Sequence, residues 1–222
     1  MTTPAARHGL DGVPDAGAFL ARLVRLDPGT LVRLRPVPET GHTALWARLP
    51  WDVLVVRTVS GTAPGDATVA AGELLAELSA GGDALPRRRD DGWRWPLPPA
   101  ASRAVEALPA AEVQRIAAAA AGTLREAATR GVAGRAVGQR ALRDALLDHV
   151  AVVVTPDEAP DAPVEVPQRL VQGLVRMGFL GAGDVQVRVA GRWVGLVGPY
   201  GAAWSRKVAD LALRPIGVHP NG

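Results

Sequence analysis

Cysteine is missing from all 222 residues. Its absence excludes disulfides, thiolate nucleophiles, iron–sulfur ligation and cysteine-based zinc sites, and it suits a reducing compartment. Lysine is nearly missing too: 24 of the 25 basic residues are arginine, which leaves Lys207 in "WSRKVAD". A phosphate loop needs a lysine beside a glycine-rich turn, so Walker-type nucleotide hydrolysis is excluded. The four histidines, His8, His42, His149 and His219, are scattered, with no H-x-x-x-H or H-x-E arrangement to put two ligands on one face. Neither metal nor cofactor is expected. The four serines, Ser60, Ser79, Ser102 and Ser205, form no G-x-S-x-G elbow. "GAGDVQ" at Gly181–Gln186 precedes a strand rather than a helix, which argues against a dinucleotide fingerprint.

Long apolar runs are absent as well. No window approaches the roughly 18 apolar residues needed to cross a bilayer, and the opening "MTTPAARHGLDGVPDAGAF" has no apolar signal core. A cytoplasmic protein with no membrane partner is the expectation. The sequence pI of about 10.4 suggests a basic protein, yet the net charge is only +3, because 22 acids oppose the 25 bases. The pI reports arginine, which holds its proton until very alkaline pH. Residues 1–62 carry +2, 63–108 carry −2, 109–162 carry −1 and 163–222 carry +4, so the basic excess lies in the C-terminal quarter.

What is present reads as an α+β protein. "DAGAFLARLVRLDPG" spaces its apolar residues at helical intervals, with Asp15 as N-cap and Pro28-Gly29 as a stop. Alternation over Leu31–Arg35, Thr43–Leu49 and Val53–Val59, with a turn at Glu39–Gly41, predicts an antiparallel meander. Asp66 is placed to cap a helix over Ala67–Ser79. A proline-rich loop with a short Trp93–Trp95 strand and an Arg103–Leu108 strand follows. Pro109 opens an alanine-rich helix to about Arg130, and a second helix runs over about Arg135–His149 into the strand "VAVVVT". The acidic loop "PDEAPDAP" is expected to be mobile, and a hairpin is expected on both sides of Ala190-Gly191. These elements divide into a tail (1–14), an α+β portion with a helix–meander–helix order (15–108), a helical portion ending in a β-hairpin (109–207) and a second tail (208–222).

"VPQRLVQGLVRMGFLG" (Val166–Gly181) carries the one lead towards a site. On a helical wheel Leu170, Val171, Leu174, Val175 and Met177 share one side, while Gln168, Arg169, Gln172, Gly173 and Arg176 share the other. Arginine and glutamine make bidentate contacts to base edges, so Arg169, Gln172 and Arg176 are candidates for a winged-helix-like recognition helix. Arg188, Arg192 and Arg206 on the hairpin would add phosphate contacts. The long connection before Pro167 opposes this, since a helix-turn-helix uses a turn of about three or four residues. The competing picture pairs Val150–Val154 with the Val185–Val197 hairpin as a sheet that the helix covers. Under either picture, replacing Arg169 and Arg176 with alanine is expected to leave folding nearly unchanged.

Other constellations read as structure. Asp148-His149 has the chemistry of a base with its orienting carboxylate, but helix neighbours diverge by about 100°, and a histidine in the last turn suits the helix dipole. Asp144 and Asp148, one turn apart near Arg140 and Arg143, read as a solvated ion-pair face. "RRRDDGWRW" has the ingredients of a base-stacking platform, offset by Asp90 and Asp91. Trp193, Tyr200 and Trp204 are candidates for a protein interface, with ordinary core as the alternative.

The phrases "TALWARLPW", "RALRDALLDHV" and "VPQRLVQGLVRMGFLG" together resemble uncharacterised conserved proteins of high-GC actinobacteria, a resemblance over most of the chain that implies no activity. The composite reading is a non-enzymatic interaction or regulatory protein with a protein partner or a second copy of itself. A winged-helix-like DNA-binding protein is the alternative, with nucleic acid less favoured. An enzyme whose site forms no sequence motif is the second alternative.

Overall fold

The computed structural model describes residues 6–130, 139–155 and 162–206. α1 (Val13–Leu26) starts with a proline in its first turn and stops where the Asp27 N–H bonds back to Leu23. Its N-cap is Gly12 rather than Asp15, which instead places negative charge near the first-turn N–H groups. β1 (Leu31–Val37), β2 (His42–Arg48) and β3 (Leu54–Ser60) form the expected antiparallel meander.

Asp66 caps no helix. Ala67–Ala70 form β4, paired to β1 through Val32↔Val69 and Arg33↔Thr68, and α2 is confined to Ala71–Ser79. Thr68 and Val69 suit a strand better than a first helical turn, and the edge of β1 supplies the ladder that a helix reading ignores. Asp66 instead accepts two hydrogen bonds from Arg33, at 2.7 Å each.

β5 (Arg103–Leu108) precedes α3 (Ala110–Arg130) and α4 (Gln139–Asp148). The expected start of α4 near Arg135 lies outside the described residues, as do most of the "PDEAPDAP" loop and the tail after Arg206. β6 (Val150–Val154) does not join the later hairpin. It pairs with β7 (Val164–Pro167) in a separate two-stranded sheet, with Val164 and Val166 alternating into the core. α5 (Gln168–Arg176) leads into β8 (Val185–Ala190), β9 (Trp193–Gly198) and β10 (Gly201–Arg206).

The main sheet has eight strands in the order β4-β1-β2-β3-β10-β9-β8-β5. Two three-stranded meanders, each preceded by a helix, meet at β3 and β10 through Ala202↔Val56, Ala203↔Val55 and Trp204↔Leu54. The fold is α+β with an antiparallel sheet, and the winged-helix version of that expectation does not hold. A wing is a free hairpin, whereas β8–β9 is bonded on one side to β5 and on the other to β10.

Strand alternation divides the side chains between two faces. The inner face presents Val32, Leu45, Val55, Leu196 and Ala203 to the helices, all 0% exposed. α1 and the turn after α5 meet there, where Phe19 and Phe179 stack with centroids 6.1 Å apart. The outer face carries Leu54, Ala190, Ala202 and Trp204, against which Trp93, Trp95 and Leu97 pack as part of a strap that follows Ala84. Trp93 and Trp95 form no strand. A 3-10 turn at Asp90–Gly92 is followed by irregular chain, since Pro96, Pro98 and Pro99 suit no ladder, and the two indoles meet edge to face at 5.7 Å. Arg33 and Arg48 lie over these rings at 5.8 and 4.7 Å. The strap is fastened to β4 by Arg89 N–H to the Thr68 carbonyl and by Thr68 N–H to Asp90 Oδ1, 2.7 Å each. Residues 6–8 run beside 82–85 and residues 9–12 beside 60–62, and buried His8 accepts from Leu10 N–H through Nδ1 and lies 3.1 Å from the Gly82 carbonyl through Nε2.

Removing the Phe179 ring leaves a cavity between helices and sheet, so Phe179→Ala is expected to lower the unfolding free energy by about 3–5 kcal/mol in a urea titration. The Asp90 carboxyl is held below the usual carboxylate range, first by the Thr68 N–H and then by Arg88. A depressed folded pKa gives stability that is full above the unfolded value of about 3.9 and is lost as pH falls through the folded value. Asp90→Asn is expected to be less stable than the parent near neutrality and to lose less on acidification, read from urea midpoints between about pH 6 and pH 2.5.

Candidate binding cleft

The polar face of α5 is partly covered, with Arg169 and Gln172 half-buried and Arg176 at its end exposed. α3 and α4 pack against it, and the three helices with the β2–β3 turn enclose a cleft of about 570 Å³. Two residues assigned to that polar face are buried: Gln168 is 3% exposed, and Gly173 faces the sheet. A β-carbon at Gly173 would stand 3.1 Å from Val53 Cγ1 and 3.5 Å from Ala203 Cβ, so glycine is what lets α5 lie close over Val53 and β10. The helix is buried from two sides, which a wheel scored for one apolar stripe does not register.

The β2–β3 turn, Leu49–Val53, supplies the opposite wall. The Leu49 N–H bonds across it to the Val53 carbonyl at 2.8 Å, and Asp52 takes φ 62°, a disfavoured conformation for a non-glycine residue. An ion pair to Arg48 holds Asp52, and the turn sets Trp51 on the cleft wall. Trp51 and α5 are tied in both directions. Trp51 Nε1–H donates to the Arg169 carbonyl at 3.3 Å, and Arg169 Nη1–H donates to the Trp51 carbonyl at 3.2 Å. The Arg176 guanidinium lies 5.8 Å from the Trp51 ring centre.

Arg169 also ion-pairs with Asp148 at the end of α4. Burial pulls its pKa below the ordinary arginine value while Asp144 opposes the shift, and the group remains a cation. Gln172 Nε2–H reaches the Ala117 carbonyl of α3 at 3.5 Å. Arg140 and Arg143 approach Asp144 at 4.0 and 3.8 Å, in exposed pairs that contribute little. Arg176 makes no ion pair with a carboxylate among the described residues. Apolar surface between these charges comes from Leu26, Leu124, Leu146 and Leu147. Among the described residues the lining has no histidine, serine, lysine or tyrosine, and the groups it offers a ligand are fixed cations, carboxylates, amides and an indole. No cluster of histidines and carboxylates among the described residues is placed to hold a metal ion.

The candidate nucleic-acid residues therefore separate. Arg169, Gln172 and Arg176 come together at this cleft. Arg188 lies on the sheet, bonded to the Ser102 hydroxyl at 2.9 Å and its carbonyl at 2.6 Å, and Arg192 is exposed in the β8–β9 turn. The candidate interface aromatics also separate. Trp204, 7% exposed with its ring over Gly195, and Trp193 belong to the outer-face cluster, while exposed Tyr200 stands apart in the turn between β9 and β10. Sequence pattern does not single out Trp51 or Gln168 as site residues. A tryptophan inside the "LPWD" turn is the available signal, because turn residues are seldom large aromatics without a surface to meet. His149, beside Asp148, is exposed outside the cleft lining, while Asp148 is engaged by Arg169.

A family model described as a domain of unknown function (DUF8185) matches residues 97–210, just over half of the chain. The chain belongs to the DUF8185 family. A second model, a domain of unknown function (DUF8010), matches residues 10–95 of the same DUF8185 protein, so the two matches meet within the strap. No curated protein matches it in sequence. Solved structures do match in fold. The DNA polymerase sliding clamp from Pseudomonas aeruginosa is 14% identical with a TM-score of 0.54, over 91% of this chain and 65% of the clamp. The DNA polymerase III beta chain from Streptococcus pneumoniae is 10% identical with a TM-score of 0.54, over 95% and 65%. The DNA polymerase beta subunit of Streptococcus pyogenes is 12% identical with a TM-score of 0.52, over 88% and 62%. The DUF8185 protein thus has a sliding-clamp-like fold and spans less than two thirds of these clamps. No described helix is long and apolar enough to cross a membrane.

Truncating Arg169 removes the donor to the half-buried Trp51 carbonyl and the ion-pair partner of exposed Asp148, so Arg169→Ala is expected to destabilise by about 0.5–1.5 kcal/mol. This replaces the expectation that the change is silent. Arg192→Ala, at an exposed turn, is expected to stay within about 0.5 kcal/mol of the parent by the same urea titration.

Proposed function

We propose that this DUF8185 protein is a non-enzymatic interaction protein of the bacterial cytosol, and that the cleft between α3, α4, α5 and the β2–β3 turn is where its protein partner docks. The observation that carries the reading is the composition of the cleft. It combines an aromatic wall, leucine surface and an arginine without a carboxylate partner among the described residues. Interfaces concentrate binding in tryptophan and arginine held by surrounding structure, and Trp51 is tied to α5 by hydrogen bonds in both directions. The clamp-like fold supports the reading as a scaffold, since an eight-stranded sheet backed by helices offers a rigid platform.

A second reading, association with DNA, draws on the likeness to DNA polymerase sliding clamps. It has less support from the residues. The five helices carry nine arginines and seven carboxylates, a near balance that attracts phosphate weakly. Of the two α5 arginines, Arg169 is engaged with Asp148 and the Trp51 carbonyl, which leaves Arg176 alone on that helix to meet a phosphate. Fluorescence anisotropy with mixed duplex DNA is expected to show no salt-sensitive binding at low ionic strength.

The test of the main reading is quantitative co-purification from native cytosol with parent, Arg176→Glu and Arg192→Glu proteins. A partner retained by the parent and Arg192→Glu, and reduced at least about tenfold with Arg176→Glu, is the expected result. Equal recovery with all three removes the cleft from the account.

A further inference from the structure

The cleft contains two polar groups whose capacity the described residues do not use. Gln168 lines it at 3% exposure, and its Nε2 has no hydrogen-bond partner among them. A buried amide donor left without an acceptor is costly, so an acceptor that reached it from the cleft would be held there. The terminal torsion of glutamine is soft, so the amide can turn to an acceptor placed in the cleft. Arg176 is the second group. It is exposed and rests against the Trp51 ring rather than on a carboxylate, while Arg169, Arg140 and Arg143 each have an acid within 4.0 Å.

The charges do not cancel. Four arginines and three aspartates line the cleft, and Asp52 is drawn away by Arg48, which is not part of the lining. The surplus is positive: one unit lies at Arg140 and Arg143, which share Asp144 in exposed pairs, and one at Arg176, which rests on the Trp51 indole. A guanidinium packed on an aromatic ring still presents its N–H edge to an acceptor, and carboxylate is the group that matches that edge with two parallel hydrogen bonds. At about 570 Å³ the space falls in the range of sites that enclose ligands of drug-like size, which corresponds to a few residues of extended chain.

We infer that the cleft binds a short segment of the partner polypeptide in which an apolar side chain is followed by a carboxylate. The apolar side chain packs against Trp51, Leu124 and Leu147. The carboxylate pairs with Arg176, and a backbone carbonyl of the segment accepts from Gln168 Nε2. This rests on the cleft being the docking site and adds the chemistry of what docks. A peptide is favoured over a free acid because the three groups ask for an anion, an apolar anchor and a separate neutral acceptor, which neighbouring residues of one chain supply together.

The experiment uses the full chain, uniformly 15N-labelled, with a pool of acetylated, amidated pentapeptides carrying leucine or phenylalanine before glutamate. A matched pool has glutamine for glutamate, and decanoate is the free-acid arm. Saturable shifts of the Gln168 side-chain amide and Trp51 Nε1–H are expected. The glutamate pool should bind at least about tenfold tighter than the glutamine pool, and Arg176→Ala should abolish that preference with an otherwise unchanged spectrum. Equal affinity of the two pools, still seen at Gln168 and Trp51, overturns the carboxylate assignment and leaves the cleft as docking site. Shifts elsewhere, or none from either pool or from decanoate, overturn both. Decanoate that binds as tightly as the glutamate pool and displaces it overturns the peptide assignment in favour of a small acid.

Discussion

The pairing of β3 with β10 is the constraint on which the rest of the structure depends. Residues 54–56 meet residues 202–204 there in a three-pair ladder, and through it two meanders become one sheet. Without that seam the inner faces of β1–β3 and β8–β10 have no common plane, and α1 and α5 have no shared surface on which Phe19 can reach Phe179. The seam also fixes the cleft. α5 lies over β10 and β9, while the β2–β3 turn projects from the neighbouring meander, so Trp51 and Arg169 can exchange hydrogen bonds only because the two meanders are joined. Contacts of such long sequence separation are slow to form, and closing them places a large entropic demand on folding.

The outer face repeats the logic with different materials. Trp204 belongs to β10, Trp46 to β2, and Trp93 and Trp95 to the strap, so the strap covers the same junction that the helices cover from inside. Arginine takes a consistent part in both layers. Arg33 and Arg48 lie on strap indoles, Arg57 lies 5.8 Å from the Tyr200 ring, and Arg176 lies on Trp51. A chain with one lysine and 24 arginines gains from this, because guanidinium stacks on aromatic faces and still donates from its edge. Several of the arginines that raise the pI are therefore engaged with rings and acids of the same molecule, which is why a high pI is a poor guide to a phosphate-binding surface.

Much of the fold is legible from local pattern. The three strands of the first meander, the proline-opened α3 and the β8–β9 hairpin all follow from alternation, helical spacing and turn residues within a few positions. Where the pattern misleads the causes differ: prolines deny Trp93–Trp95 a ladder, and other segments take pairing partners that their own pattern does not specify. Ala67–Ala70 fit the helical spacing of the segment after them, and the strand preference of Thr68 and Val69 is realised on the edge of β1, well upstream. "GAAWSR" has little pattern of its own, and β10 emerges from the neighbours that bury Ala203 and Trp204. β6 takes β7 rather than the hairpin as its partner, and the return of the chain beside it is not encoded in either strand. At the cleft, residue type alone marks Arg169, Gln172 and Arg176. The burial of Gln168 and Gly173 depends on other elements packed around α5, and Trp51 belongs to a turn 118 residues away from Arg169.

Docking of a protein partner in the cleft beside Trp51 is tested most directly by site-specific photo-crosslinking in native cytosol, with the crosslinker at Leu124 in the cleft or at Arg192 in the β8–β9 turn, and identification of the adduct by mass. A single adduct from position 124 that position 192 does not give is the expected result, and its mass separates a different polypeptide from a second copy of this chain. No adduct from position 124, or the same adducts from both positions, would contradict the account.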